Sequence, residues 1–256
     1  MKLPIMKLLK IYNILIKYII YYLLIIISFS LSPDDVIANN ALFNDYNGII
    51  MLDPGHGGND HGVSGQKGTL EKNLALELAN LIAAELKKNY KLEFTRTDDY
   101  NVHLDQRIAA ANHAKADIFI SLHTGGSFQH RPKDIIIYHF IKPLTVPDPV
   151  QLNLANNEYE SLKSWQNIQI KHIKKSKAFC KMLINRLSAV SDLPPACIKG
   201  APLKILQSAD MPAILIETGY LTNPKIESSL QDAGILSNFA KAISLAINDF
   251  LKKFSN

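Results

Sequence analysis

Cysteine is scarce in this chain: Cys180 and Cys197 are the two in 256 residues. No C-x-x-C pair exists, which excludes a zinc site built from thiolates. In an oxidising compartment the two could form one disulfide; otherwise they read as two buried thiols. Nucleotide-binding signatures are missing as well. No G-x-x-x-x-G-K-[ST] is present and no G-x-G-x-x-G opens a helix, so the Gly-rich turn at residues 55–58 is not a phosphate cradle of either kind. There is no internal repeat. The basic excess is small, at +5. Four lysines and two aspartates lie in residues 1–38, and without them 24 basic residues face 21 acidic ones, or +3. With no basic cluster interleaved with aromatics, nucleic-acid binding is excluded. An anionic polymer remains compatible as a substrate. Hydrophobic residues make up 47% of the chain, so it is not a disordered protein.

The N-terminal extension carries an address. Lys2, Lys7, Lys10 and Lys17 precede the uncharged run Tyr18–Leu31, and Val36-Ile37-Ala38 supplies small residues for cleavage after Ala38. Positive start, apolar middle and small-residue exit are the parts of a secretory signal. The run is short of the roughly 20 residues of a membrane span, although counting back to Ile11 lengthens it. Residues 1–38 are therefore a cleaved signal peptide or a retained membrane anchor. Either makes the protein exported, to the periplasm or cell envelope. Residues 39–47 read as a polar linker, and residues 48–256 as one folded domain.

Within that domain, short apolar runs alternate with helical periodicity. Strands are predicted at Ile49–Asp53, Leu92–Arg96, Ile118–His123, Ile135–Phe140, Leu203–Gln207 and Ala213–Glu217. Continuous apolar strands of this kind suit a parallel sheet covered on both faces. Helices are predicted from a Thr69 cap through Leu86, from Leu104 to Ala114, from Leu162 to Val190, and from Asp232 to Lys252. The fold class is α/β, a single domain with a mostly parallel sheet of about six strands and helices on both faces. Residues 141–161, rich in proline and asparagine, interrupt the alternation as a long loop, either a lid or a solvated connection.

Three strand ends carry the chemistry. His56 follows the strand ending at Asp53, inside the turn Gly55-His56-Gly57-Gly58. Glu71 comes 15 residues later, at the start of a helix. His123 ends another strand and Glu217 a third. A hydrolytic zinc site needs three protein ligands and an open position, and His56, Glu71 and His123 are the expected set. His61 is the rival ligand by proximity. A carboxylate ending an apolar strand is costly to bury unless paired or raised in pKa, which is what a general base requires. Glu217 is therefore the expected catalytic base, with an ion pair to Arg107 or Arg96 as the alternative.

These residues resemble a known family, the zinc-dependent N-acetylmuramoyl-L-alanine amidases of bacterial cell-wall hydrolysis. The matching pieces are LDPGHGGND at 52–60, LEKNL at 70–74, TRTD at 95–98, RIAAAN at 107–112, ADIFISLH at 116–123 and PAILIETGYLTN at 212–223. The resemblance implies a mixed, mostly parallel sheet. It also implies Zn2+ on His56, Glu71 and His123, with Glu217 as the catalytic glutamate and Asp53 and Arg107 in supporting positions. The implied reaction is hydrolysis of the amide joining N-acetylmuramic acid to L-alanine in peptidoglycan, in wall remodelling or daughter-cell separation, by a monomer. A zinc peptidase cutting within the stem peptide and a non-catalytic wall-binding module are the alternatives.

The chain departs from the family pattern in places. Thr124-Gly125-Gly126 follows the third ligand where the family usually has a small residue and asparagine, and Asp134–Phe140 lacks the usual early acidic residue. Some relatives carry an inhibitory helix after the fourth strand. Residues 143–176, including Trp165, occupy that place and are expected to act as a regulatory insertion released by a protein activator.

Overall fold

The computed structural model describes residues 15–23, 46–129, 132–143 and 168–254. Contacts divide the chain into two units, residues 1–45 and residues 46–256. In the first, residues 15–23 are helical. Among the described residues no helix is long and apolar enough to cross a membrane. The rest of the predicted signal or anchor, and residues 144–167 of the predicted insertion with Trp165, lie outside the described residues.

The second unit is an α/β domain. In chain order it contains β1 (Ile49–Pro54), α1 (Glu71–Leu86), β2 (Lys91–Phe94), α2 (Leu104–His113), β3 (Ile118–Gly125) and β4 (Ile135–Phe140). A 3-10 turn (Ile168–His172), α3 (Ile173–Ser188), β5 (Ala196–Ala201) and α4 (Lys204–Gln207) follow, then β6 (Ala213–Tyr220), α5 (Pro224–Leu230) and α6 (Ala233–Phe254). The six strands form one sheet in the order β2-β1-β3-β6-β4-β5. Every pairing is parallel except β4 against β6. The expected mixed, mostly parallel sheet is therefore present.

Strand alternation sorts the apolar residues into two layers. Ile50, Leu52, Ile118, Ile120, Ile214 and Ile216 face α1, α3 and α6. Met51, Phe119, Phe140, Ala213 and Leu215 face α2 and α4. Among the described residues three long helices cover the first face, whereas the second carries one helix of ten residues, one of four and the 3-10 turn. The thinner cover leaves room on that face, at the C-terminal ends of the parallel strands, where ligands bind in open α/β sheets.

Two expectations need correction. Leu203–Gln207 is not a strand: Lys204–Gln207 is the short α4, and the strand in that part of the chain is β5, Ala196–Ala201. That edge strand is half exposed and contains Lys199 and Gly200, so it shows no apolar run. Thr69 does not cap α1, because the Val63 carbonyl accepts the Glu71 amide and the His61 carbonyl the Lys72 amide. Thr69 Oγ1 instead accepts from Gln231 Nε2 at 2.8 Å. Of the two readings left open for the cysteines, the structure has free thiols, Cys180 buried and Cys197 half-buried. Cys180 packs in the first core layer, where burial pushes its thiol up to about 12. Ile198 packs against that same layer, so its neighbour Cys197 points to the opposite face of the sheet.

Ile120, on the central β3 and fully buried, tests the packing of the first layer. Ile120→Ala is expected to destabilise the domain by about 2–5 kcal/mol, read as a lower midpoint in urea unfolding.

Candidate metal centre

Register brings the site together. β1, β3 and β6 place Asp53 beside Ser121 and Ser121 beside Leu215, and His123 pairs directly with Glu217. All point to the thinly covered face. β1 then runs into the Gly-rich turn, where His56 adopts a left-handed backbone with φ +59°. For a residue with a side chain that conformation is costly and persists only where the surroundings impose it.

The surroundings are two buried guanidinium groups. Arg107 NH2 donates to the His56 carbonyl at 2.7 Å, and its NH1 donates to the Pro54 carbonyl at 2.7 Å and to Asp53 Oδ1 at 2.8 Å. Arg96 donates to the Pro54 carbonyl at 3.0 Å, to Gly55 at 2.8 Å and to Lys72 at 2.7 Å. The carbonyls of Pro54, Gly55 and His56 are thus all held, and Arg96 ties the turn to the start of α1. Asp53, fully buried, also accepts from Thr95 and Ser121, each at 2.6 Å.

Three side chains converge above this base. His56 Nε2 lies 3.1 Å from Glu71 Oε1, and His123 Nδ1 lies 2.9 Å from the same oxygen. One ligand atom from each of His56, Glu71 and His123 falls within 4.8 Å of the others. A tetrahedral ion with ligand bonds of about 2.0–2.1 Å has ligand atoms about 3.3 Å apart, so two imidazole nitrogens and one carboxylate oxygen at this spacing fit zinc. Glu71 is further fixed by the Val63 amide at 2.7 Å and the Thr124 amide at 2.9 Å. Burial would raise its pKa, but the hydrogen bonds from His123, His56 and Val63 win and hold it well below the usual carboxylate range. Gly62, at φ +66°, sits so close that a Cβ there would lie 2.5 Å from Glu71 Oε2.

Asp60, not singled out from the sequence, contributes to the site, and Arg96 enters it in a role other than the expected one. Asp60 Oδ2 lies 2.9 Å from His56 Nδ1 and leaves Nε2 to face Glu71. Its spacing of four residues from His56 was the available signal. Arg96 clamps carbonyls instead of pairing with Glu217, and Arg107 takes Asp53, so neither arginine is the partner of Glu217. His61 is exposed and lies outside the cluster. Glu217 is half buried. Burial raises its pKa and the Glu71 charge adds to this, against opposition from His123 and Lys199. Gly125 gives it space, since a Cβ there would meet the Tyr220 ring at 3.0 Å and Glu217 Oε2 at 3.3 Å. Tyr138 flanks the same carboxylate, and burial, with the Glu217 charge, pushes it up to about 12.

The fold and site define an α/β domain in which a turn, a helix start and a strand end form a His/Glu/His cradle beside a half-buried carboxylate. A family model described as N-acetylmuramoyl-L-alanine amidase matches residues 50–249, and the chain belongs to that family. It is 27% identical to N-acetylmuramoyl-L-alanine amidase AmiC of Escherichia coli O6:H1 over 79% of this chain and 52% of that protein. It is 30% identical to the probable cell wall amidase LytH of Staphylococcus epidermidis, over 80% of this chain and 57% of that protein. The chain thus spans about half the length of both relatives. The solved N-acetylmuramoyl-L-alanine amidase from Clostridium difficile 630 superposes with a TM-score of 0.60 at 26% identity, covering 82% of this chain and 99% of that one. The CwlV catalytic domain from Bacillus (Paenibacillus) polymyxa shares the fold, with a TM-score of 0.65 at 24% identity, over 80% of this chain and 98% of that one.

Two substitutions test how the cradle is held. Arg107→Met strands the Asp53 carboxylate and is expected to cost about 3–5 kcal/mol in urea unfolding, with Asp53→Asn in the same chain restoring part of it. Thr124→Val removes a buried hydroxyl with no partner among the described residues while keeping the amide that holds Glu71. It is expected to leave stability unchanged or raise it by up to about 1 kcal/mol.

Proposed function

We propose that this chain is an exported zinc amidase that hydrolyses the bond between N-acetylmuramic acid and the L-alanine of the stem peptide in peptidoglycan, in wall remodelling or daughter-cell separation. One observation carries the reading: a His/Glu/His cradle with Glu217 next in register to His123, in a chain of this family. His56 Nε2, Glu71 and His123 Nδ1 would hold the ion, and Asp60 would orient the His56 ring as a carboxylate behind a ligating imidazole does. Bound zinc supplies Lewis acidity to the scissile carbonyl and lowers the pKa of water. Glu217 takes the proton from the attacking water and returns it to the departing alanine nitrogen. Its half-buried place suits both steps, because burial favours the protonated form. Arg96 and Arg107 keep the His56 turn from moving while charge develops.

The remaining parts follow from the sequence. Residues 1–38 serve as signal or anchor, residues 39–47 as linker and residues 48–256 as the catalytic domain, which acts as a monomer. Residues 143–176 are a regulatory segment on which a protein activator would work.

Digestion of purified peptidoglycan by residues 39–256, with and without chelator, tests this by mass analysis of the soluble products. Free stem peptides beginning with L-alanine, lost on chelation and restored by zinc, are expected. Alanine left on the sugar would identify a peptidase instead, and no release with zinc bound would favour a binding module or a covered site. Glu217→Gln is expected to keep zinc and lose about 10²- to 10⁴-fold in rate. His123→Ala should lose metal and activity together. Asp60→Ala should weaken zinc binding about 10- to 100-fold, measured by competition with a chromogenic chelator.

A further inference from the structure

The cleft is larger than the metal centre. A cavity of about 460 Å3 opens from His56 and His123, between the Asn101–Leu104 turn and the start of α4. A second, of about 370 Å3, lies along the seam between α2 and α4. Leu104 and Lys204 line both, so the two form one groove with those residues at its threshold. Each volume is in the range of small-ligand sites.

Charge along this groove is ordered. In the first cavity Asp53 is engaged by Arg107, and Asp60 by His56 and the Gly62 amide. His103, at the rim, is the other titratable ring there. Lys204 is exposed, and its ammonium makes no ion pair or hydrogen bond among the described residues, whereas Lys72, Lys91 and Lys171 are each paired. Its backbone is anchored by Ile205 and Leu206, both buried. Beyond the threshold, Asp105 lines the second cavity. From the metal outward the groove therefore presents a free cation and then a carboxylate. Among the described residues neither cavity is lined by Phe, Tyr or Trp, and the flat rings near Glu217, Tyr138 and Tyr220, belong to β4 and β6. A sugar ring asks for such a flat face, and a peptide with alternating charges asks for the groove.

We propose that Lys204 Nζ receives the free α-carboxylate of the second residue of the stem peptide, so that stems with this carboxylate unamidated are the preferred substrate class. The stem then runs along the α2–α4 seam, where Asp105 faces the amine of the diamino residue that follows. This rests on the amidase reading. A γ-linked glutamate one residue from the scissile amide carries the required carboxylate, and amidation removes its charge without changing its size.

Calorimetric titration of the zinc-loaded full chain with L-Ala–γ-D-Glu–diaminopimelate, and with its counterpart amidated at the glutamate α-carboxylate, reads Lys204 without any cleavage. The acid form is expected to bind about three- to fivefold tighter, the scale of an exposed ion pair. Lys204→Met should bring the ratio to about one, Lys204→Arg should keep it, and Lys204→Glu should invert it. In hydrolysis of the matching muropeptides the preference should fall on KM. Equal binding of the two peptides by the unmodified chain, or a ratio that survives Lys204→Met, overturns the assignment. Failure to cleave either muropeptide with zinc bound counts against the amidase reading instead, and the binding ratio still decides the role of Lys204.

Discussion

The site depends on the burial of two guanidinium groups beneath one turn of chain. Arg96 and Arg107 are almost fully buried, and between them they hold the carbonyls of Pro54, Gly55 and His56. Burying a cation is costly unless its donors are satisfied. Here Arg107 has Asp53 as counter-ion, and Arg96 is solvated by backbone dipoles, with burial and the nearby Arg107 charge lowering its pKa. The return is positional. A histidine in a left-handed conformation would relax if left alone, and the arginines remove that freedom before any ligand arrives. Hydrogen bonds to charged donors contribute about 1.5–3 kcal/mol each, comparable to the about 1–3 kcal/mol cost of the strained residue.

On this fixed turn the remaining groups are set by strand pairing. The β3–β6 register puts His123 and Glu217 side by side, and the same face carries the Asp53–Ser121 pair one step down. Glu71 comes from a helix whose first amides are satisfied by the carbonyls of Val63 and His61, so the loop that follows the His56 turn also seats the carboxylate. Two carboxylates near one another carry opposite perturbations. Glu71, among hydrogen-bond donors, is held ionised, while Glu217, half buried and paired with neither Arg96 nor Arg107, is pushed toward the protonated form. Environments that drive two acids apart in this way separate a ligand from a proton carrier.

Much of this could be read from the sequence, for identifiable reasons. Apolar runs ending at, or just before, His or Glu marked β1, β3 and β6, because central parallel strands need no polar face. The same rule failed for β5, an edge strand whose half-exposed residues carry no apolar run, and Leu203-Lys204-Ile205-Leu206 imitated a strand because two buried residues of a one-turn helix look alike in a short window. Thr69 looked like a cap, but tertiary carbonyls did that work. Arg96 and Arg107 were visible as residues though not as clamps, since their partners are main-chain oxygens that leave no trace in side-chain identity. Asp60 was legible only as a spacing. The Gly125 position, which departs from the family pattern, acquires a reason in the close approach of Tyr220 and Glu217.

The order of these residues along the chain has a consequence for assembly. His56, Glu71 and His123 all belong to the β1–β3 half, which pairs with itself through neighbouring parallel strands. Glu217 lies 94 residues beyond His123 (217 − 123) and reaches it only when β6 inserts between β3 and β4. On the proposed roles, the metal ligands come from the first half of the chain and the proton acceptor from the second. A site divided in this way is complete only once β6 has closed the central sheet between β3 and β4.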